Sequence, residues 1–161
     1  MLQNNPTNKS LKSPSSTKYT IITSSFNTQY TGSLKNACQA ELLEMGVAEN
    51  NIELVDTPGA LEIPITAKLT AMHKNPDVMI ALGVIFKGET YHFENTADEC
   101  ARGCQEVAQT HSIPIIYEVL ACYNEEQAAA RCGQDRKNKG IEAAQAAVRM
   151  AQIIEEFKTN V

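Results

Sequence analysis

The chain has 161 residues, 43% of them hydrophobic, and carries a net charge of −5. That length suits one domain with a sizeable core, and an acidic balance without any basic cluster argues against nucleic acid as the main partner. There is no run of about 18 apolar residues, so nothing is expected to cross a membrane.

Met1 to Lys18 is rich in Ser, Thr, Asn, Pro and Lys and has no acidic residue. It lacks the apolar centre of a secretory signal. It reads as a disordered tail, with an organelle-transit segment as the alternative, ahead of a single domain over 19–161. Tyr19 to Ser25 is a short β-branched and aromatic run, hence a strand. Phe26-Asn27 ends it. From Tyr30 to Met45, Leu34, Ala37, Cys38, Leu42 and Met45 recur at helical spacing, and Gly46 is placed to stop that helix. Ile52 to Val55 reads as a second strand, closed by Asp56-Thr57-Pro58-Gly59. Ile63 to His73 reads as a helix with Pro64 in its first turn, where a missing N–H costs little.

Asn75-Pro76-Asp77 breaks the chain before Val78 to Ile85. This near-continuous apolar run is expected of a strand buried on both faces. Glu94 to His111 is a third helix, Ile113 to Leu120 a fourth strand, Glu125 to Arg131 a short helix and Lys139 to Phe157 a long alanine-rich one. In the last, Ile141, Ala144, Ala147, Val148, Met150 and Ala151 form an apolar stripe. The alternation of strand and helix implies an α/β fold: a four-stranded parallel sheet with helices on both faces, a three-layer αβα sandwich.

Cysteines stand at 38, 100, 104, 122 and 132. The count is odd and no C-x-x-C pair occurs, so neither a disulfide framework nor a zinc ribbon is indicated. The three histidines have no metal-ligand spacing. A reduced, cytoplasmic protein without metal or other cofactor is expected.

In open parallel sheets ligands bind outside the carboxyl ends of the strands, and the unusual residues of this chain collect there. Phe26-Asn27 follows the first strand, Pro58-Gly59-Ala60-Leu61-Glu62 the second, Phe86 to His92 the third, and Tyr117 lies toward the end of the fourth, with Arg131 beyond. A response-regulator reading of the same pattern fails at the first strand, where carboxylates are needed and Ser24, Ser25, Phe26 and Asn27 stand.

The runs PGALEIP (Pro58 to Pro64) and GETYHFE (Gly88 to Glu94), with Arg131 and Asn138-Lys139-Gly140, resemble those of the lumazine synthases over about 19–153. The resemblance implies a flavodoxin-like sandwich and a cofactor-free condensation. In it, 5-amino-6-(D-ribitylamino)uracil reacts with 3,4-dihydroxy-2-butanone 4-phosphate to give 6,7-dimethyl-8-ribityllumazine, phosphate and water, the penultimate step of riboflavin synthesis. It also implies pentamers, sometimes sixty-subunit capsids, with riboflavin synthase as a candidate partner.

By the same resemblance, Phe26 stacks on the pyrimidine. Asn27, Gly59, Ala60, Leu61, Glu62, Val84, Ile85 and Phe86 hold the pyrimidine and ribityl chain. Gly88-Glu89-Thr90 is the phosphate turn, to which Glu89 contributes only its N–H. His92 is the proton shuttle, a residue type that titrates near neutrality. Arg131 grips phosphate and Tyr117 covers the pyrimidine, both from the neighbouring subunit, and Lys139 adds charge.

Residue by residue, blander roles stand beside these. Phe26 could plug a strand end, Glu62 could serve only as a charge at a helix N-terminus, His92 could be structural, Tyr117 could be a core strand residue, and Arg131 and Lys139 could be surface cations. The chain departs from the family pattern at Lys87, where arginine is common, and at Asp135 and Arg136. Asp135 near phosphate is unfavourable unless Arg136 screens it. A non-catalytic lumazine or flavin binder, or a shell-forming relative, is the alternative to an enzyme.

Overall fold

The computed structural model describes residues 11–160. The elements run β1 (Tyr19–Ser24), α1 (Thr28–Glu44), β2 (Ile52–Thr57), α2 (Ile63–His73), β3 (Val78–Phe86), α3 (His92–His111), β4 (Ile115–Cys122), α4 (Glu125–Arg131) and α5 (Lys139–Thr159). The strands form one sheet in the order β2-β1-β3-β4, and every pairing is parallel.

Alternation along the strands divides the apolar side chains between two cores, because successive residues of a strand point to opposite faces. Tyr19, Ile21, Val78, Ile80, Leu82 and Val84 pack with Leu34, Cys38 and Leu42 of α1 and Ala143, Ala144, Ala147, Val148 and Ala151 of α5. Ile22, Met79, Ala81 and Val119 pack on the other face with Ile63, Ala67 and Ala71 of α2 and Cys100, Cys104 and Val107 of α3. The result is the flavodoxin-like αβα sandwich the sequence implies. As expected, β3 is covered on both faces. Each such Val, Leu or Ile side chain, fully buried, stabilises the fold by ~1.5–3 kcal/mol.

Element ends differ from the pattern-based limits for local reasons. The fourth strand starts at Ile115, not Ile113. The Ile113 N–H is used to close α3 on Ala108 O at 3.1 Å, and Pro114 has no N–H to give. Gly46 ends α1 as anticipated, with φ 87°. Its N–H donates to Leu43 O and that of Val47 to Leu42 O, each at 3.0 Å, the wrap that glycine makes at low cost. In α5 the buried stripe takes in Ala143, while Ile141 and Met150 are only half-buried. Residues 1–10 of the expected tail lie outside the described residues. From 11 to 18 the chain runs against the body: Leu11 packs on the α1–α5 core, and Ser13 N–H donates to Met45 O at 3.0 Å.

Two polar devices hold the α4–α5 turn to α1. Asn138, 1% exposed, caps α5 by accepting from Gly140 N–H at 2.8 Å, and its amide donates to Gly133 O at 2.7 Å and to Ser33 Oγ of α1 at 3.2 Å. Arg136 makes a two-pronged pair with Glu41 at 2.7 and 3.1 Å, and Gln145 donates to the same carboxylate at 2.8 Å. Burial opposes ionisation of Glu41, but the Arg136 and Gln145 hydrogen bonds outweigh it and hold the carboxyl below its usual range.

The alanine stripe lets α5 lie close to α1, and Gly140 is the tightest point. A Cβ there would stand 2.1 Å from Leu34 O, closer than any real contact. Gly140→Ala is therefore expected to lower stability by ~1–3 kcal/mol, although alanine is the better helix former by ~1 kcal/mol. An unchanged midpoint in thermal denaturation would contradict this packing argument.

Candidate functional site

The carboxyl ends of β1, β2 and β3 and the start of α3 enclose a cavity of about 460 Å³. It lies where the chain's path through the sheet reverses, between adjacent β1 and β3, the switch point at which such folds open a crevice. Of the residues anticipated there, Phe26, Asn27, Gly59, Ala60, Leu61, Glu62, Val84, Ile85, Phe86 and His92 all line it.

Local chemistry sets each in place. Phe26 is 68% exposed, so its ring is an open apolar surface and not a plug. Asn27 sits in the left-handed region at φ 57°, ψ 48°, which asparagine tolerates better than most residues. Its side-chain amide donates to Val84 O at 2.8 Å, tying the β1–α1 turn to the end of β3. At Gly59 a Cβ would come within 2.8 Å of Glu62 Oε2 and 3.4 Å of the Phe26 ring, so glycine lets carboxylate and ring close in together. Thr66 Oγ1 donates to Glu62 O at 2.8 Å and meets Thr57 Oγ1 at 3.0 Å, fixing the turn that carries Glu62.

His92 is the first residue of α3, and its Nε2 lies 3.4 Å from Thr96 Oγ1. Thr96 and Ser24 also line the cavity and were not anticipated. Thr96 shares a face with His92, as residues four apart on a helix do, because α3 begins at His92 and not at Glu94.

Other anticipated residues lie elsewhere in the subunit. Glu89 and Thr90 are exposed on the turn before α3. The first N–H groups of that helix have no intrahelical acceptor. Arg131 lines a separate recess with Cys122, Tyr123 and Gln127, and its Nη1 donates to Gln127 O at 2.9 Å. Tyr117 is half-buried against the α2–α3 core and donates from its hydroxyl to Ala97 O at 3.4 Å. Lys139 opens α5 and pairs with Glu142 at 2.7 Å. None of these five lines the cavity of its own chain. Arg136, considered as a screen for Asp135, is engaged by Glu41 instead, and Asp135 Oδ1 accepts from Lys137 N–H at 2.9 Å.

Among the described residues, no group of three or more His, Cys, Asp or Glu could hold a metal ion, and no helix is long and apolar enough to cross a membrane. All five cysteines are free and buried.

Fold and cavity define a flavodoxin-like αβα protein with a small-molecule cleft at the switch point of its sheet. Residues 16–155 match the family model described as 6,7-dimethyl-8-ribityllumazine synthase. Proteins of that name from Coxiella burnetii (strain RSA 493 / Nine Mile phase I) and Acidovorax sp. (strain JS42) are similar to it. The first is 41% identical over 144 residues, 89% of this chain and 95% of the relative. The second is 43% identical over 137 residues, 85% of this chain and 86% of the relative. The relative from Nitrosomonas europaea is 42% identical over 134 residues, 83% and 79% of the two chains. The chain belongs to the 6,7-dimethyl-8-ribityllumazine synthase family, enzymes of riboflavin biosynthesis.

One titrating group stands outside the cavity. Burial pushes the Glu118 carboxyl on β4 up to about 7, against the pull of Lys139 and with a further push from Glu142. A carboxyl raised on folding stabilises the fold at low pH, and that contribution is lost as pH rises through its folded value. Glu118→Gln should therefore unfold at a higher temperature than the parent above pH 7, the two converging below about pH 4.5. Equal midpoints at pH 8 would contradict the burial of this charge.

Proposed function

We propose that the chain condenses 5-amino-6-(D-ribitylamino)uracil with 3,4-dihydroxy-2-butanone 4-phosphate, giving 6,7-dimethyl-8-ribityllumazine, phosphate and water. The observation that carries this is the convergence of Phe26, Glu62 and His92, from three separate segments, on one cavity. The exposed face of Phe26 suits a flat heterocycle. Glu62 offers acceptors to N–H and hydroxyl groups, and the wall formed by Val84, Ile85 and Phe86 gives the ring an apolar edge. The turn Gly88-Glu89-Thr90, opening α3, takes the phosphate with its N–H groups and the Thr90 hydroxyl.

The arylamine attacks the ketone to form an imine with loss of water. His92 moves the proton whose removal lets phosphate leave. The enol that results tautomerises, and the ribitylamino nitrogen closes the ring with loss of the second water. Holding two substrates in register supplies much of the acceleration. Two-substrate assays that follow lumazine absorbance test the reading. A protein that binds lumazine or flavin yet forms no product would overturn it.

Self-association completes the site in this reading. Arg131 lies outside its own chain's cavity and acts on the phosphate of a neighbour, with Tyr117 and Lys139 bordering the same junction. Leu61, Ile65, Leu69 and Met72 are exposed at 43–57% and recur at helical spacing along one side of α2 and its approach, which supports a packed subunit face. A cyclic pentamer is the assembly unit, and free thiols fit a cytoplasmic location.

His92→Ala should slow turnover by about 10²-fold, in the range ascribed to a positioned proton carrier, without abolishing it. A wild-type rate would remove His92 from its role. Arg131→Ala should raise KM for the butanone phosphate about tenfold, as loss of one charge-assisted contact does, with little change for the pyrimidine. Sedimentation that finds an active monomer would refute the shared site.

A further inference from the structure

The start of α3 carries a conflict that the proposed reaction does not resolve. If the Gly88–Thr90 turn takes phosphate, the anion sits among carboxylates. Glu89 is in the turn itself, and Glu94 is the third residue of α3. A carboxylate there suits the helix when no ligand is bound, because the N-terminal end of the macrodipole favours negative charge. For the same reason it competes with an incoming anion for the same partial charge.

Lys87, the residue before the turn, is arranged against that competition. Its ammonium contacts Glu94 Oε1 and lies 5.3 Å from the centroid of the Phe93 ring, a cation–π position. Its backbone N–H donates to Cys122 O at 2.9 Å, so the base of the side chain is anchored to the end of β4. Phe93 is held in turn against Tyr123, with ring centroids 5.8 Å apart. The two charged side chains are each about one-third exposed, 34% and 33%, so water screens the pair less than it would two surface groups. The Lys87 hydrogen bond is the first cause, ahead of Glu94's own N–H, that holds the Glu94 carboxyl below its usual range. The other oxygen, Oε2, is buried with no hydrogen-bond partner. Among the described residues no other cation pairs with this carboxylate.

We propose that Lys87 is a specificity-determining residue that acts through Glu94. It masks the carboxylate at the head of α3, so that the Gly88–Thr90 turn accepts a phosphate-bearing substrate. Lys87 is thus a positioning and screening residue and not a phosphate ligand. This inference rests on the reading of Gly88–Thr90 as the phosphate turn. Removing Lys87 alone leaves a bare carboxylate beside the anion. Removing both charges restores the net charge that the Lys87–Glu94 pair leaves at the turn, with Glu89 present in every case.

The test uses the assembled protein and two readouts: the dissociation constant of inorganic phosphate by calorimetry, and KM for the butanone phosphate. Lys87→Met should weaken both about five- to tenfold, the scale of one unscreened charge at short range in a mostly aqueous setting, and the loss should shrink as salt is raised. KM for the pyrimidine should not change. The double variant Lys87→Met/Glu94→Gln should recover to within about threefold of wild type, and Lys87→Arg, which keeps a cation, should match wild type. A double variant as weak as Lys87→Met overturns the proposal, because a brace that merely holds the loop cannot be rescued by removing its second half. Thr90→Val separates this from the reading beneath it. If Thr90→Val weakens phosphate binding and Lys87→Met does not, the screening role alone is wrong. If neither variant changes it, the phosphate turn lies elsewhere and the inference falls with it.

Discussion

The parallel register of β1 and β3 is the constraint from which the site follows. Tyr19 stands beside Val78 and Thr23 beside Leu82, so both strands finish at the same edge of the sheet. Their connections then leave in opposite directions, and the gap between them is the cavity floor. The Asn27 amide crossing to Val84 O fixes how far the two ends are apart. A slip of one residue would turn Ile21 and Ile80 toward the wrong core and the cavity-lining ends out of line. Burial of both faces of β3 makes that slip costly, so core packing and site geometry are one specification.

On this frame the chain distributes its chemistry unevenly. The first three strand ends supply a cleft with one open aromatic ring, one carboxylate and one imidazole. The cations that the proposed phosphate-bearing substrate would call for lie outside it. Arg131 is in a recess behind β4, and Lys139 is paired with Glu142 at the start of α5. Under the proposed function such a subunit would hold the parts of two half-sites, and the exposed apolar side of α2 fits the same proposal.

Much of this was legible in the residues. The buried run of β3, the Gly46 stop and the cluster of unusual residues at strand ends follow from period, turn chemistry and the switch-point rule. Ten of the twelve residues that line the cavity were reached by combining that rule with the family motifs. What pattern reasoning missed came from tertiary partners. The Ile113 N–H goes to the close of α3, which delays β4 by two residues. Thr96 joins His92 only because α3 begins at His92 itself, two residues earlier than the apolar period suggested. Arg136 read as a neighbour of Asp135 along the chain, yet its partner is Glu41, far away in sequence and buried on α1. Ion pairs that span the fold leave no local signature.

The five thiols, all unpaired and all buried, have a practical corollary. Burial suppresses ionisation of Cys38, Cys122 and Cys132, holding these thiols above the ordinary range, and only the thiolate reacts. The hydrogen bond with Cys104 lowers Cys100 instead, which is shielded by its complete burial. The α1–α5 core holds those three and the α2–α3 core holds Cys100 and Cys104. An alkylating reagent therefore has nothing to modify until a layer opens. Mapping which cysteines are labelled first would time the opening of each face of the sheet separately, with the native sequence as its own reporter.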